Sequence, residues 1–156
     1  MATVRLADYR PAPYLLERTD LTVRLHGEHA VVEAALAFRP NPEDCPEPGD
    51  GAQAAAPLEL MGVALELEAI QLDASPLPPA AYRLDAERLL LLDPPQRPFV
   101  LQTRVRIHPQ TNTTLEGLYV SGGLYTTQCE AVGFRRITFH PDRPDLLSRF
   151  RVRIEA

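Results

Sequence analysis

Apolar and polar residues alternate along several runs of this chain. Strict alternation puts every second side chain on one face, which marks half-buried strands rather than helices. In LTVRLHGEHAVVEAALAF, Leu21, Val23 and Leu25 share a side, HGEH supplies a turn, and Val32, Ala34, Leu36 and Phe38 resume the pattern, which predicts a hairpin. FVLQTRVRIHP sets Phe99, Leu101, Thr103, Val105 and Ile107 against Arg104, Arg106 and His108. RFRVRIEA repeats the device, with Phe150, Val152 and Ile154 expected inward and Arg149, Arg151 and Arg153 outward. Val63, Leu65 and Leu67 share a parity that Ile70 and Leu72 break, so a bulge or corner is expected near Glu68 and Ala69. AAYRLDAERLLLLDPP predicts two short strands around Asp85 to Glu87. GFRRITFHPDRPD reads as a strand, with Phe134 and Thr138 on one side and Ile137 and Phe139 on the other, closed by a turn stiffened by Pro141 and Pro144. No segment of helical period reaches about ten residues. The expected fold class is all-β, built of antiparallel sheets.

Residues 39–57, RPNPEDCPEPGDGAQAAAP, hold five of the sixteen prolines. Proline cannot donate to a sheet ladder, so this stretch is expected to be a surface loop between strands. At 156 residues the chain is the size of one domain, residues 1–156, able to bury roughly 70% of its unfolded surface. Its last strand stops two residues after Ile154, an ending expected of a truncated domain.

Sixteen basic against twenty-one acidic residues give a net charge of −5 without a basic run, which argues against nucleic acid as a partner. The opening residues carry neither a signal-peptide core nor a membrane span, so a cytoplasmic location is expected, with Cys45 and Cys129 as reduced thiols. Asn112 heads an Asn-Thr-Thr glycosylation triplet that is read as chance. His26 and His29 lie three apart in a turn, His108 on a polar strand face and His140 before Pro141, none at metal-ligand spacing. Ser75, Ser121 and Ser148 lack a nucleophile-elbow context, Cys129 has no histidine nearby in sequence, and SGG at 121–123 is a turn signal only. No catalytic residue, metal site or cofactor is therefore expected in this chain.

The densest chemistry is TTQCEAVGFRRITFHPDRPD, residues 126–145. If LYTTQCE runs extended, Gln128 and Glu130 project together while Cys129 points the other way. An amide oxygen beside a carboxylate can receive a primary ammonium through charge-assisted hydrogen bonds. Equally, Glu130 could pair with Arg135 or Arg136 while Gln128 caps a loop.

Residues Asn112 to Phe150, most specifically LEGLY, TQCEA with GFR and ITF, and DRPD with the following RF, resemble the closing part of the amino-terminal domain of the bacterial aminopeptidase N family, hydrolases of the zinc gluzincin class. Weaker likeness in DYRPAPYLL and GVALELEAIQLD extends it over most of the chain outside 39–57. The resemblance implies a saddle-like or sandwich arrangement of antiparallel sheets that packs on a catalytic domain in the same polypeptide. It implies that zinc sits in that other domain, and that Gln128 and Glu130 hold the free α-amino group of a peptide substrate. Arg135, Arg136, Phe139, Asp142 and Pro144 would then be architectural, with an Arg136 to Asp142 pair. Left alone, such a domain is expected to self-associate through its uncovered surface. The alternative is a stand-alone β-sandwich module that binds peptides or amines and has no catalytic partner.

Overall fold

Two long strands, β1 (Tyr14–Leu25) and β2 (Ala30–Pro40), form the expected hairpin and the middle of the largest sheet. They are followed by β3 (Leu58–Met61), β4 (Glu66–Leu72), β5 (Ser75–Pro76), β6 (Tyr82–Leu84), β7 (Arg88–Leu91), β8 (Phe99–Ile107), β9 (Gly117–Ser121), β10 (Leu124–Gln128) and β11 (Arg149–Glu155). This computed structural model describes residues 9–44 and 56–156. The strands make a six-stranded sheet in the order β11-β1-β2-β8-β4-β5, a three-stranded sheet β3-β7-β6, and the hairpin β9-β10. All pairs are antiparallel except β1 with β11, which is parallel. The fold is all-β, with apolar layers facing one another as in a sandwich.

Alternation explains the inner face. Leu36, Leu101 and Val105 are fully buried, as are Leu60 of β3 and Leu89 of β7, and all join one hydrophobic cluster. Each such side chain contributes about 1.5–3 kcal/mol by leaving water. β1 keeps its apolar row inward through a register shift between Leu16 and Arg18, so buried Tyr14 and Leu16 are followed by buried Thr19, Leu21 and Val23. The matching shift in β4 falls between Leu67 and Ala69, where the broken parity predicted it. Asp85 closes the turn between β6 and β7 by accepting the N–H groups of Glu87 at 2.9 Å and Arg88 at 3.0 Å. On the outer face of the large sheet, Arg104 bridges Glu33 and Glu68 while Arg106 joins Glu68.

Three expectations are corrected. GFRRITFHPDRPD is not a strand. It is a tight 3-10 turn at Phe134–Arg136, after which Ile137, Thr138, Phe139 and His140 are all buried. The residue before the turn, Gly133, has φ of 149°, a value that breaks an extended run. Phe139 then fills the space above Gly62, where an added Cβ would meet its ring at 2.3 Å. Phe150, Val152 and Ile154 of β11 lie on the inner side, opposite Thr19, Leu21 and Val23, but are not buried: they are 52%, 54% and 67% exposed, because β11 is an edge strand to which the core cluster does not extend. Third, the loop read as 39–57 begins later: β2 runs to Pro40, and a short 3-10 turn follows at Pro42–Asp44. The rest of that loop, residues 45–55 with Cys45, lies outside the described residues.

Candidate functional site

The site is built on the β9-β10 hairpin. Its two-residue turn, Gly122-Gly123, has φ of +57° and +82°, the left-handed pair that a tight hairpin twisting with its strands requires. Two short strands are marginal alone, so outside contacts hold them. Asn112 donates through its amide to the carbonyls of Glu116 at 2.8 Å and Leu118 at 2.9 Å, while its oxygen accepts from the N–H and hydroxyl of Thr114. That amide is a structural clamp. Gln110 donates to the hydroxyl of Tyr125 at 2.9 Å, and Tyr125 in turn donates to the His26 carbonyl at 3.2 Å. These bonds tie the hairpin to the β1-β2 turn.

β10 ends at Gln128. The next residues keep the alternation for two more places: Gln128 and Glu130 are exposed, and Cys129 is half-buried against the core. The Gln128 amide nitrogen donates to the Glu130 carbonyl at 3.1 Å, which leaves its oxygen as the free acceptor. The Glu130–Ala131 peptide bond is cis. Gly133 then lies so close to the start of the turn that a Cβ on it would meet the Gln128 carbonyl at 2.8 Å.

Both neighbouring arginines are engaged elsewhere. Arg135 donates through Nε to the Asp142 carboxylate, whose side chain is 9% exposed and which also faces the N–H groups of Arg135 at 3.4 Å and Gly133 at 3.5 Å. Arg136 donates to Glu116 at 3.0 Å. The expected Arg136 to Asp142 pair is therefore replaced by Arg135 to Asp142, because residues of a 3-10 turn point about 120° apart and the two guanidinium groups diverge. The pairing of Glu130 with either arginine does not occur. Among the described residues, the Glu130 carboxylate takes no ion pair or hydrogen bond.

Burial, then the nearby Asp142 charge, push the Cys129 thiol pKa up, so it stays protonated and poorly nucleophilic. His140 is buried between the rings of Phe134 and Phe150, at 4.7 and 6.0 Å, and accepts the Asp142 N–H at Nδ1. Burial pushes its pKa down to about 4, against a smaller opposing pull from Asp142. His26 stacks on His29 at 4.8 Å, and His108 meets Glu66 at 2.9 Å. Among the described residues, no three His, Cys, Asp or Glu side chains gather closely enough for a metal ion, so these residues do not fit a zinc site. Clefts of about 300 and 340 Å³ run past Arg136 and past Arg135 with Asp142, but neither is lined by Gln128 or Glu130, which stand on open surface. Sequence reasoning missed Glu116, Gly117 and Gly133. The closest signal for them was the glycine pair itself: a Cβ added at Gly117 would meet Arg136 Cβ at 2.6 Å, and one added at Gly133 would meet the Gln128 carbonyl.

No family model matches the chain. It is 48% identical over 153 residues to the aminopeptidase N of Caulobacter vibrioides, covering 98% of this chain and 16% of that protein. With the aminopeptidase N of Escherichia coli the identity is 39% over 150 residues, covering 96% and 16%. A crystal structure of Legionella pneumophila aminopeptidase A in complex with aspartic acid superposes with a TM-score of 0.83 at 28% identity, over 97% of this chain and 17% of that one. An M1 zinc metallopeptidase from Deinococcus radiodurans shares the fold at a TM-score of 0.70 and 16% identity, over 91% of this chain and 32% of that one. The chain thus spans 16% of the length of the curated relatives it matches.

Proposed function

We propose, from the premise that this chain belongs to the aminopeptidase N family and matches its amino-terminal region, that it is the non-catalytic amino-terminal domain of a cytoplasmic zinc aminopeptidase. The parent protein removes amino-terminal residues from peptides. Zinc and the residues that use it belong to a catalytic domain elsewhere in that polypeptide, on which this chain packs. Gln128 and Glu130 supply the anchor for the substrate's free α-amino group.

One observation supports the anchor above the rest: among the described residues Glu130 is left as an unpaired carboxylate although two arginines lie five and six positions away, each engaged by another acid. A primary ammonium carries three donors, and the Glu130 carboxylate with the Gln128 amide oxygen offers acceptors on one side of the loop. On open surface such bonds are weak. Covered by a second wall that excludes water, each charge-assisted bond is worth about 1.5–3 kcal/mol. An internal peptide bond has no ammonium to present, so the anchor selects chain ends.

The test is Glu130→Gln in the full-length enzyme. A loss of about 10- to 100-fold in kcat/KM on peptides with a free amino terminus is expected, with KM raised. An unchanged kcat/KM would remove Glu130 from amine recognition.

A further inference from the structure

Between the end of β10 at Gln128 and the 3-10 turn at Phe134–Arg136 lie residues 129–133, a loop that carries Glu130. Its own side chains restrain it little. Ala131 and Val132 are exposed like Glu130, and Cys129 packs half-buried against the core. Recognition of an ammonium nevertheless needs its acceptors held in one place, so the loop must be fixed from elsewhere.

The hold is at its far end, where a single carboxylate oxygen gathers the chain. Asp142 Oδ2 accepts the Arg135 Nε–H and faces the backbone N–H groups of Arg135 at 3.4 Å and Gly133 at 3.5 Å. Buried Gly133 is packed on the start of the same loop: a Cβ added there would meet the Gln128 carbonyl at 2.8 Å and Cys129 Cα at 3.1 Å. Asp142 is thus one residue removed from the backbone of Gln128. It is fixed in turn from β3, because His140 exchanges two backbone hydrogen bonds with Met61, at 2.8 and 3.0 Å, and accepts the Asp142 N–H at Nδ1. Asp142 has φ of 49°, in the left-handed region that aspartate and asparagine enter more readily than other side chains.

The same carboxylate decides where Arg135 goes. A guanidinium five positions from Glu130, left without an acid of its own, is a ready partner for the Glu130 carboxylate and a rival to an incoming ammonium. Bound to an acid whose side chain is 9% exposed, Arg135 is withdrawn from that competition.

We propose that Asp142 is the positioning residue of the amine anchor: it holds residues 129–133 in the shape that presents Gln128 and Glu130 on one side, and it keeps Arg135 off Glu130. It acts through the loop, not on the substrate. This rests on the reading of Gln128 and Glu130 as the anchor.

Asp142→Asn in the full-length enzyme tests it, since asparagine keeps the size and the backbone preference and removes the charge that binds Arg135. KM for peptides with a free amino terminus is expected to rise about tenfold, with kcat within about twofold. Partial unfolding would do the reverse, lowering kcat and leaving the KM of the folded fraction alone. An unchanged KM, with or without a fall in kcat, would overturn the proposal. Added to Glu130→Gln, Asp142→Asn is expected to raise KM by less than about twofold more, because the group it positions is already gone; a second full tenfold would show that it acts elsewhere and would also overturn it. Should Asp142→Asn give no folded enzyme, Asp142→Glu decides: it keeps the charge on a stem one methylene longer, and KM is expected to rise about threefold or more, an unchanged value again overturning the proposal. The two readings fail separately. Glu130→Gln without effect sinks the anchor and this inference with it, whereas a costly Glu130→Gln beside a silent Asp142→Asn sinks the positioning role alone.

Discussion

β8 and β11 carry the same written pattern and meet opposite fates. In β8, Phe99, Leu101, Thr103, Val105 and Ile107 are all buried, while in β11 the three apolar positions are all more than half exposed. Both alternate with arginines, and both lie in one sheet. What differs is company: β8 is paired on both sides, by β2 and β4, and contributes to the core cluster, whereas β11 is paired, among the described residues, only by β1. Period two therefore decides which face of a strand is apolar. Whether that face is covered depends on elements far away in sequence, or in another part of the polypeptide.

The largest test of the contrast is the same substitution at both places. Val105→Asp puts a carboxylate where no atom is exposed, and an unpaired buried charge costs several kcal/mol, about 4 or more, enough to unfold most of a marginally stable chain. Val152→Asp, at a side chain 54% exposed, is expected to change stability by about 0.5 kcal/mol or less in this chain. Urea midpoints of the two variants give the answer. Equal losses would mean that β11 is buried in solution and would dissolve the comparison.

Much of the sheet could be read from the chain because its rules are local. The β1-β2 hairpin, the slip at Leu67 and Ala69 and the turn at Asp85 all follow from parity and turn chemistry. The bulge in β1 stayed hidden because Leu15 already shares the parity of Leu21 and Val23, so the apolar row reads as unbroken, while the first buried place past the slip goes to a polar residue, Thr19, which bonds the Ser148 hydroxyl at 2.8 Å. The parallel pairing of β11 is a contact across 131 positions, which no local pattern encodes. At the candidate site, the shared side of Gln128 and Glu130 was legible from alternation. The partners of the arginines were not, since GFRRITF alternates like a strand and only the backbone of Gly133 turns it into a 3-10 turn that separates Arg135 from Arg136.

A middle-sized effect lies where β11 does cover something. Phe150 stacks at 6.0 Å on His140, a ring only 8% exposed. The folded chain keeps that ring neutral down to about pH 4, while an unfolded imidazole takes a proton near 6.5. Between those values the unfolded state binds more protons, so stability is full above about pH 6.5 and falls as the pH drops, by about 1.4 kcal/mol per pH unit. His140→Gln is expected to flatten that slope. Phe150→Ala is expected to raise the His140 pKa toward its ordinary value, as read from ring-proton shifts in an NMR titration; an unmoved pKa would mean that β11 covers nothing.

The smallest effect separates the outer faces of the same two strands. Arg104 of β8 bridges Glu33 at 3.0 Å and Glu68 at 2.9 Å, and Glu68 also receives Arg106, so three strands are laced together over the sheet. Those hydrogen bonds from Arg104, then Arg106, hold the Glu68 carboxyl pKa below its usual range. Being half exposed, the pairs are screened by salt and individually weak. Arg104→Ala is expected to lower the melting temperature by no more than about 2–4 °C in low salt, with the loss shrinking at molar salt. Arg151 of β11 is an exposed side chain at the sheet edge, and Arg151→Ala is expected to leave the melting temperature unchanged at either salt. A loss at Arg151 that equals the loss at Arg104 would show that the edge strand shares the lattice of charges on the central strands, and that its isolation extends to its inner face alone.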